Sequence, residues 1–339
     1  MTDDAQRFKD ATGSPWMLTA EDPTRVDAYL RERNFLGPAE SVTALSRAGE
    51  GNMNVTLRVK TIERQFILKQ SRPWVAKYPT LPAPVDRILV EKAYLERTSC
   101  VPALAAHTPA LLAADPENFV LLLEDLTGAE DLLRAYDHRQ PILAEELRAM
   151  LAYLSELHQM APGDFPANLP LRELNHAHIF VLPFRADNGF PLDDFLPGLA
   201  EVARPYQHDA DLAARAAALG ERYLATGSCL VHGDFYPGSL MSRGGHLFVI
   251  DGEFAHPGHP EFDLGVLTAH LLLAAAPAEQ LQSIDQHYRK PAGFDTGLAR
   301  QFCYVEVLRR LIGIAQLPLA LTLGQRKALL AQAHQGLLD

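Results

Sequence analysis

Three acids dominate the chemistry this chain can offer. Asp234 stands in Leu230-Val231-His232-Gly233-Asp234-Phe235-Tyr236-Pro237-Gly238-Ser239, and Asp251 and Glu253 follow in Phe248-Val249-Ile250-Asp251-Gly252-Glu253-Phe254. Each stretch is a short apolar run that delivers carboxylates into a turn. Carboxylates at the ends of buried strands are costly unless protons, cations or hydrogen bonds compensate them. A divalent cation is an economical compensation, and hard Mg²⁺ takes oxygen ligands together with phosphates. Asp251 and Glu253 can approach one metal cluster from one loop, which leaves Asp234 to address a hydroxyl. Phosphoryl transfer needs that division: metal against the phosphate charge, and a carboxylate to orient the acceptor and take its proton. Any one of these acids alone reads as an ordinary turn residue. The grouping carries the reading.

The remaining candidates are weaker singly. Lys69 sits in the apolar strand Phe66-Ile67-Leu68-Lys69-Gln70, and a buried ammonium requires an anionic partner. Glu91, one helix later, is the natural candidate and would complete the Lys–Glu pair that kinase-like folds set against nucleotide phosphates. In Gly49-Glu50-Gly51-Asn52-Met53-Asn54 the two glycines let backbone N–H groups approach phosphate oxygens, although a plain hairpin fits the same residues. Arg309 follows Val305 by four and precedes Ile312 by three, on an apolar helical stripe. It has no obvious helical partner there, so an anionic or hydroxyl-rich group should satisfy it. Arg310 follows Glu306 by four, the spacing of a surface ion pair of roughly 0.2–0.5 kcal/mol. Trp74, in a Pro-rich loop from Arg72 to Pro84, fits closure over an acceptor and plain surface packing equally. His232 reads as a brace of the catalytic loop, His158 as a helix-terminal residue, and His256 and His259 as loop residues.

These groups require a strand-rich front and a helix-rich back. VTLRVK (Val55–Lys60) alternates apolar and polar residues, and QFILKQ (Gln65–Gln70) follows a short polar turn. Asp86–Thr98 reads as a helix. Leu111–Ala113 and Phe119–Leu123 read as a hairpin turned at Asp115-Pro116-Glu117-Asn118, the second strand apolar throughout and therefore buried on both faces. The lobe boundary falls just past Glu124, giving an N-lobe of residues 1–125 and a C-lobe of residues 126–339. Helices are expected over Ile142–Met160, Asp211–Ala225, Glu261–Ala275, Thr296–Gln316 and Leu323–Leu338, with short strands between Cys229 and Phe254. The stretch Leu171–Pro205 fits a loop or short helices.

With 339 residues, 47% hydrophobic and 22% charged, the chain has the composition of a globular protein with core enough for two lobes. The net charge of −11, without a dense Lys/Arg block, argues against a nucleic-acid partner. Three scattered cysteines suit reduced thiols in the cytoplasm. The polar N-terminus does not read as a signal peptide, and the longest apolar stretch, Val266–Ala278, falls short of the roughly 20 residues a membrane span requires.

Taken together, these motifs resemble the aminoglycoside phosphotransferase/choline kinase superfamily and, within it, the 5-methylthioribose kinases. The superfamily pattern is His-Gly-Asp-x-x-x-x-Asn, then an Asp-containing metal motif after a hairpin; here Ser239 stands at the Asn position. The Pro-Gly-Ser-Leu-Met tail, the Asp-x-Glu-Phe motif and the Gly-x-Gly-Asn-x-Asn turn are similar to the methylthioribose kinase versions. Arg309-Arg310-Leu311-Ile312-Gly313-Ile314-Ala315 resembles a paired-arginine segment of sugar binding. The resemblance implies a two-lobed, protein-kinase-like α+β fold, with a small antiparallel-sheet N-lobe and a larger, mainly helical C-lobe. It implies ATP and Mg²⁺ as cofactors and a small-molecule hydroxyl as acceptor, in a monomer or homodimer. Asp234 becomes the catalytic residue, and Asp251, Glu253 and Ser239 the metal residues. Gly49, Gly51, Asn52, Asn54, Lys69, Glu91 and Glu124 fall to the nucleotide, and Arg309, Arg310 and Trp74 to the acceptor. Two departures bear on the acceptor: a shorter back lobe, and Phe-Tyr-Pro after Asp234 where the methylthioribose kinases more often have Leu-His-Thr. An aminoglycoside, an amino alcohol such as choline, another pentose, and a non-catalytic nucleotide-binding pseudokinase are the rival readings.

Overall fold

The computed structural model describes residues 3–20, 22–49, 53–137 and 140–339. Gly51 and Asn52 of the glycine turn therefore lie outside the described residues. The chain divides into two units, Met1–Gly128 with Asp251–Glu253, and Ala129–Ile250 with Phe254–Asp339.

The first unit begins with helices α1 (Asp3–Thr12) and α2 (Pro23–Glu32), to which the sequence reading assigned no structure. A start signal for α2 was present: Asp22 caps the helix through Arg25 N, and Pro23 occupies its first turn. Five antiparallel strands follow in the spatial order β1-β2-β3-β7-β6, with β1 at Val42–Arg47, β2 at Asn54–Thr61, β3 at Gln65–Ser71, β6 at Leu111–Asp115 and β7 at Val120–Glu124. Strand alternation sorts their side chains onto two faces. Leu57, Val59, Phe66, Leu68, Val120 and Leu122 pack with Val26, Tyr29 and Leu30 of α2. Leu121 and Leu123 pack instead with Ile88 and Leu95 of α3 (Arg87–Ser99). Strand β7 is thus buried on both faces, as its unbroken apolar run predicts. Lys69 has the parity of Ile67, so it lies on the face that α3 covers.

The Arg72–Pro84 segment is a hairpin, β4 (Trp74–Val75) with β5 (Tyr78–Pro82), and not an open loop. Trp74 is only 4% exposed, in a cluster with Phe8 and Met17. The Arg7 guanidinium lies 4.2 Å from its ring centre. Trp74 thus packs within this unit, edge-to-face with Phe8 and with Arg7 over its ring. Helix α4 (Pro102–Ala105) completes the unit.

The second unit carries strands β8 (Glu130–Asp131), β9 (Cys229–Val231), β10 (Leu240–Arg243), β11 (His246–Val249) and β12 (His256–Gly258). Its helices are α5 (Ala144–Leu157), α6 (Leu169–His176), α7 (Leu192–Phe195), α8 (Leu199–Gln207), α9 (Ala210–Leu224), α10 (Pro260–Leu273), α11 (Ala278–His287), α12 (Thr296–Ile312) and α13 (Leu323–Leu338). The stretch Leu171–Pro205 resolves into short helices with a π-turn at Ala177–Val181, and α11 had not been assigned from sequence. Helix α10 is buried almost all round, the expected place for a helix without a polar face. It packs on α12 at the centre of the core, with α8, α9 and α13 around them. Strands β10 and β11 form a hairpin closed by Gly244 and Gly245, both at positive φ, which delivers the chain to Asp251. No helix among the described residues is long and apolar enough to cross a membrane.

Candidate active site

In the second unit, β9 runs directly into His232-Gly233-Asp234. Gly233 has φ of +82°, and a Cβ there would fall 2.3 Å from the Phe254 carbonyl oxygen, so only glycine fits. The loop hangs from one side chain. Asp263 of α10 accepts from His232 N at 2.7 Å with one oxygen and from Gly233 N at 2.9 Å with the other. His158, at the end of α5, also donates to Asp263, at 3.1 Å, and its other ring nitrogen pairs with Tyr288 Oη at 2.7 Å. Burial would raise the Asp263 carboxyl, but the His158 and His232 hydrogen bonds and charges outweigh it and hold the pKa below the ordinary value. His232 is a brace as expected: Nε2 donates to Ile250 O at 3.0 Å and Nδ1 accepts from Asp234 N at 3.3 Å.

Sequence reasoning missed Asp263, His158 as its partner, and Tyr288. One signal was available: Asp263 is a charge inside the apolar run of α10, and a buried carboxylate must have partners. Asp263→Asn keeps the shape but replaces one accepting oxygen with a donor that opposes a backbone N–H. We expect a Tm lower by several degrees and kcat lower by about tenfold or more, measured by calorimetry and steady-state kinetics on one preparation.

Beyond Asp234, the Phe235 ring is buried against Tyr153 and His232. A short turn, Pro237–Ser239, brings the buried Ser239 next to β11, where its carbonyl accepts from Ile250 N at 3.0 Å.

In the first unit, Lys69 and Glu91 meet as expected, Nζ lying 2.8 Å from Oε1 and 2.7 Å from Oε2. Asp251 Oδ1 lies 2.5 Å from the same ammonium. Burial works against the Lys69 charge, but Asp251, Glu91 and Glu253 outweigh it and hold its pKa above the ordinary value. Burial pushes the Glu91 carboxyl the other way, up to about 7, with Lys69 as the opposing influence. The Asp251 side chain is 46% exposed where that of Lys69 is 4%, so it can still offer an oxygen outward. Asp251 holds φ of +60°, uncommon for a residue other than glycine, and a Cβ on Gly252 would fall 2.3 Å from the Tyr94 ring.

Glu253 is engaged differently. Its Oε2 accepts from Asn54 Nδ2 at 2.9 Å and pairs with Arg87 Nε at 3.1 Å. Arg87 is buried and also donates to Met53 O, Arg72 O and Pro84 O, tying the end of the glycine turn to the start of α3. Among the described residues, no three His, Cys, Asp or Glu side chains form a ready metal cluster. Asp251 fits a hard cation as it stands, whereas the Glu253 oxygen toward Arg87 is already neutralised. Gly49 has φ of +73°, as a tight turn requires. Glu124 is exposed at the end of β7, opposite Phe66, and its carboxylate accepts from Ala110 N; Lys69 pairs with Leu121 instead.

The paired arginines correct two expectations. Arg310 is 5% exposed and Arg309 9%, because the last turns of α12 are buried on every side. Arg310 is therefore no surface residue, and Arg309 does have a helical partner. Glu306 serves both: its two oxygens lie 2.8 and 2.7 Å from Arg309 Nη1, and Oε1 lies 2.7 Å from Arg310 Nε. Among the described residues, Arg309 Nε is buried without a hydrogen-bond partner. Arg310 lies 4.8 Å from the Tyr236 ring centre. Burial opposes its charge, but Glu306, Tyr236 and Asp234 more than offset this and raise its pKa.

Comparison with known proteins agrees with this architecture. The profile of the phosphotransferase enzyme family, APH, matches residues 44–302. A methylthioribose kinase from Pectobacterium atrosepticum is 27% identical, over 88% of this chain and 86% of its own. Another from Exiguobacterium sibiricum is 31% identical, over 74% of this chain and 66% of its own. Among solved structures, a choline/ethanolamine kinase family protein from Mesorhizobium loti shares the fold, with a TM-score of 0.53 at 18% identity over 93% of this chain and 94% of that one. The chain belongs to the phosphotransferase enzyme family: it is a protein-kinase-like small-molecule kinase that transfers phosphate to a hydroxyl.

Proposed function

We propose that the protein is an ATP- and Mg²⁺-dependent kinase whose acceptor is a neutral, hydroxyl-rich sugar of the methylthioribose type. The observation that carries this reading is the arginine pair. Two buried guanidinium groups share the single carboxylate of Glu306, and among the described residues Arg309 Nε lacks a hydrogen-bond partner. Such a pair offers directed donors to neutral hydroxyls, where the ammonium groups of aminoglycosides and amino alcohols would meet guanidinium groups of like charge. The similarity to methylthioribose kinases supports the same acceptor class.

Asp234 orients the acceptor hydroxyl and takes its proton as the bond to phosphorus forms. Lys69, held by Glu91, supplies the ammonium for the nucleotide phosphates, and the Gly49–Asn54 turn supplies backbone donors. Asp251 is the residue that would hold Mg²⁺, joined by Glu253 if it exchanges Arg87 for metal, with Ser239 as a further oxygen donor. Bound there, Mg²⁺ supplies charge neutralisation at the transferring phosphate. A non-catalytic role is disfavoured, because Lys69, Asp234 and Asp251 are all present.

An ATP-consumption screen over methylthioribose, related pentoses, amino alcohols and aminoglycosides tests the reading, and turnover with cationic acceptors alone would refute it. In Arg309→Lys an ammonium can still pair with Glu306 but cannot reproduce the planar fork of donors. The acceptor KM should rise by about tenfold or more, with the ATP KM unchanged. An unchanged acceptor KM would remove Arg309 from the acceptor site.

A further inference from the structure

Glu306 does more than neutralise two arginines. It is fully buried, and a third donor reaches it: His270 Nε2, from α10, at 3.2 Å. His270 is fully buried too, and its Nδ1 lies 2.6 Å from the hydroxyl of Tyr136. Burial would raise the Glu306 carboxyl, but Arg309, Arg310 and His270 hold it well below the ordinary range, so it is a carboxylate and can only accept. His270 must then carry its proton on Nε2 and present a lone pair at Nδ1, to which Tyr136 donates. Burial, aided by the two arginines, lowers the imidazole pKa to about 4, so the ring is neutral at neutral pH. The donors form a single directed chain from Tyr136 through His270 to Glu306.

The far end of the network reaches the catalytic loop. Arg310 stacks on Tyr236, and Tyr236 N donates to the Asp234 carbonyl at 3.0 Å. A carboxylate held only by the two guanidinium groups could turn with them, whereas His270, fixed from a second helix, removes that freedom.

We propose that Glu306, oriented by Tyr136 through His270, is a positioning residue for the acceptor. It fixes the fork of Arg309 toward an acceptor hydroxyl, and it keeps Arg310 stacked on the Tyr236 ring. The proposal rests on the reading of Arg309 as an acceptor-binding residue.

Glu306→Gln removes the charge, and Tyr136→Phe removes one hydroxyl at the far end of the chain without touching either arginine. Both are assayed with methylthioribose and ATP, beside Arg309→Lys and thermal melting of each variant. Acceptor KM should rise about tenfold or more in Glu306→Gln, as for a lost charged hydrogen bond, and about threefold in Tyr136→Phe, as for a neutral one. The ATP KM should stay within about twofold in both. In the double variant Glu306→Gln with Arg309→Lys, acceptor KM should be no higher than in the worse single variant, because both changes disable one device. A lowered Tm in Tyr136→Phe with a wild-type acceptor KM would show a structural role only and overturn the proposal. So would additive KM effects, or a parallel rise in both KM values. If Glu306→Gln fails to fold, Tyr136→Phe decides alone. A silent Arg309→Lys would refute the acceptor reading and this proposal with it. A strong effect of Arg309→Lys beside a silent Tyr136→Phe overturns the positioning role alone.

Discussion

Asp234→Asn should lower kcat by at least about two orders of magnitude while leaving ATP binding intact. The amide keeps the size of the side chain and its orienting hydrogen bond but cannot take the acceptor's proton. The loop itself should not move. Its backbone is held by Asp263 through His232 N and Gly233 N, and His232 is held through Ile250 O, none of which uses the Asp234 carboxylate. Loss of rate in this variant therefore reports chemistry and not collapse of the loop. Isothermal titration with ATP and single-turnover kinetics separate the two, and wild-type turnover would remove Asp234 from the mechanism.

Lys69→Met should abolish productive turnover to a similar degree, by at least about a hundredfold in kcat/KM for ATP. The methionine keeps the aliphatic stem in the strand, so the sheet and the α3 face should survive. A second consequence follows from electrostatics. Glu91 is buried with its pKa already raised to about 7, and Lys69 is the influence that opposes the rise. Without the ammonium, burial and the Asp251 and Glu253 charges push it further up. A carboxyl whose folded pKa exceeds its unfolded value contributes stability that is present at low pH and lost as pH rises through the folded value. The Tm of Lys69→Met relative to the parent should therefore fall as pH rises above about 7, where Glu91 has ionised in the parent and not yet in the variant. Adding Glu91→Gln should flatten that profile. A flat profile for Lys69→Met alone would show that Glu91 does not depend on this lysine.

Much of the candidate site was legible because its chemistry is local. Strand parity alone puts Lys69 on the face of Leu121 and Leu123, where α3 carries Glu91, and the observed pair is the direct result. The glycine in His-Gly-Asp announces a turn that no side chain could enter, and the hairpin spacing announces where Asp251 emerges. The shared role of Glu306 was also within reach. The three-residue spacing to Arg309 is as good a helical pair as the four-residue spacing to Arg310, and only the second had been weighed.

What the sequence by itself determined was thus the central strands and long helices, though not α1, α2, α11 or the β4–β5 hairpin, with the faces they bury and the side chains their loops present. All of these follow from periodicity and backbone sterics within a few residues. Only the tertiary structure decided the partners. The apolar run of α10 says that Asp263 is buried; it does not say that His158 of α5 and the backbone of the catalytic loop will meet it. Nor does the sequence say that Trp74 packs on α1, or that Arg87 claims one oxygen of Glu253. A buried charge in a sequence states a debt of electrostatic free energy, and which distant group settles it depends on how helices far apart in the chain pack, a matter no local pattern encodes.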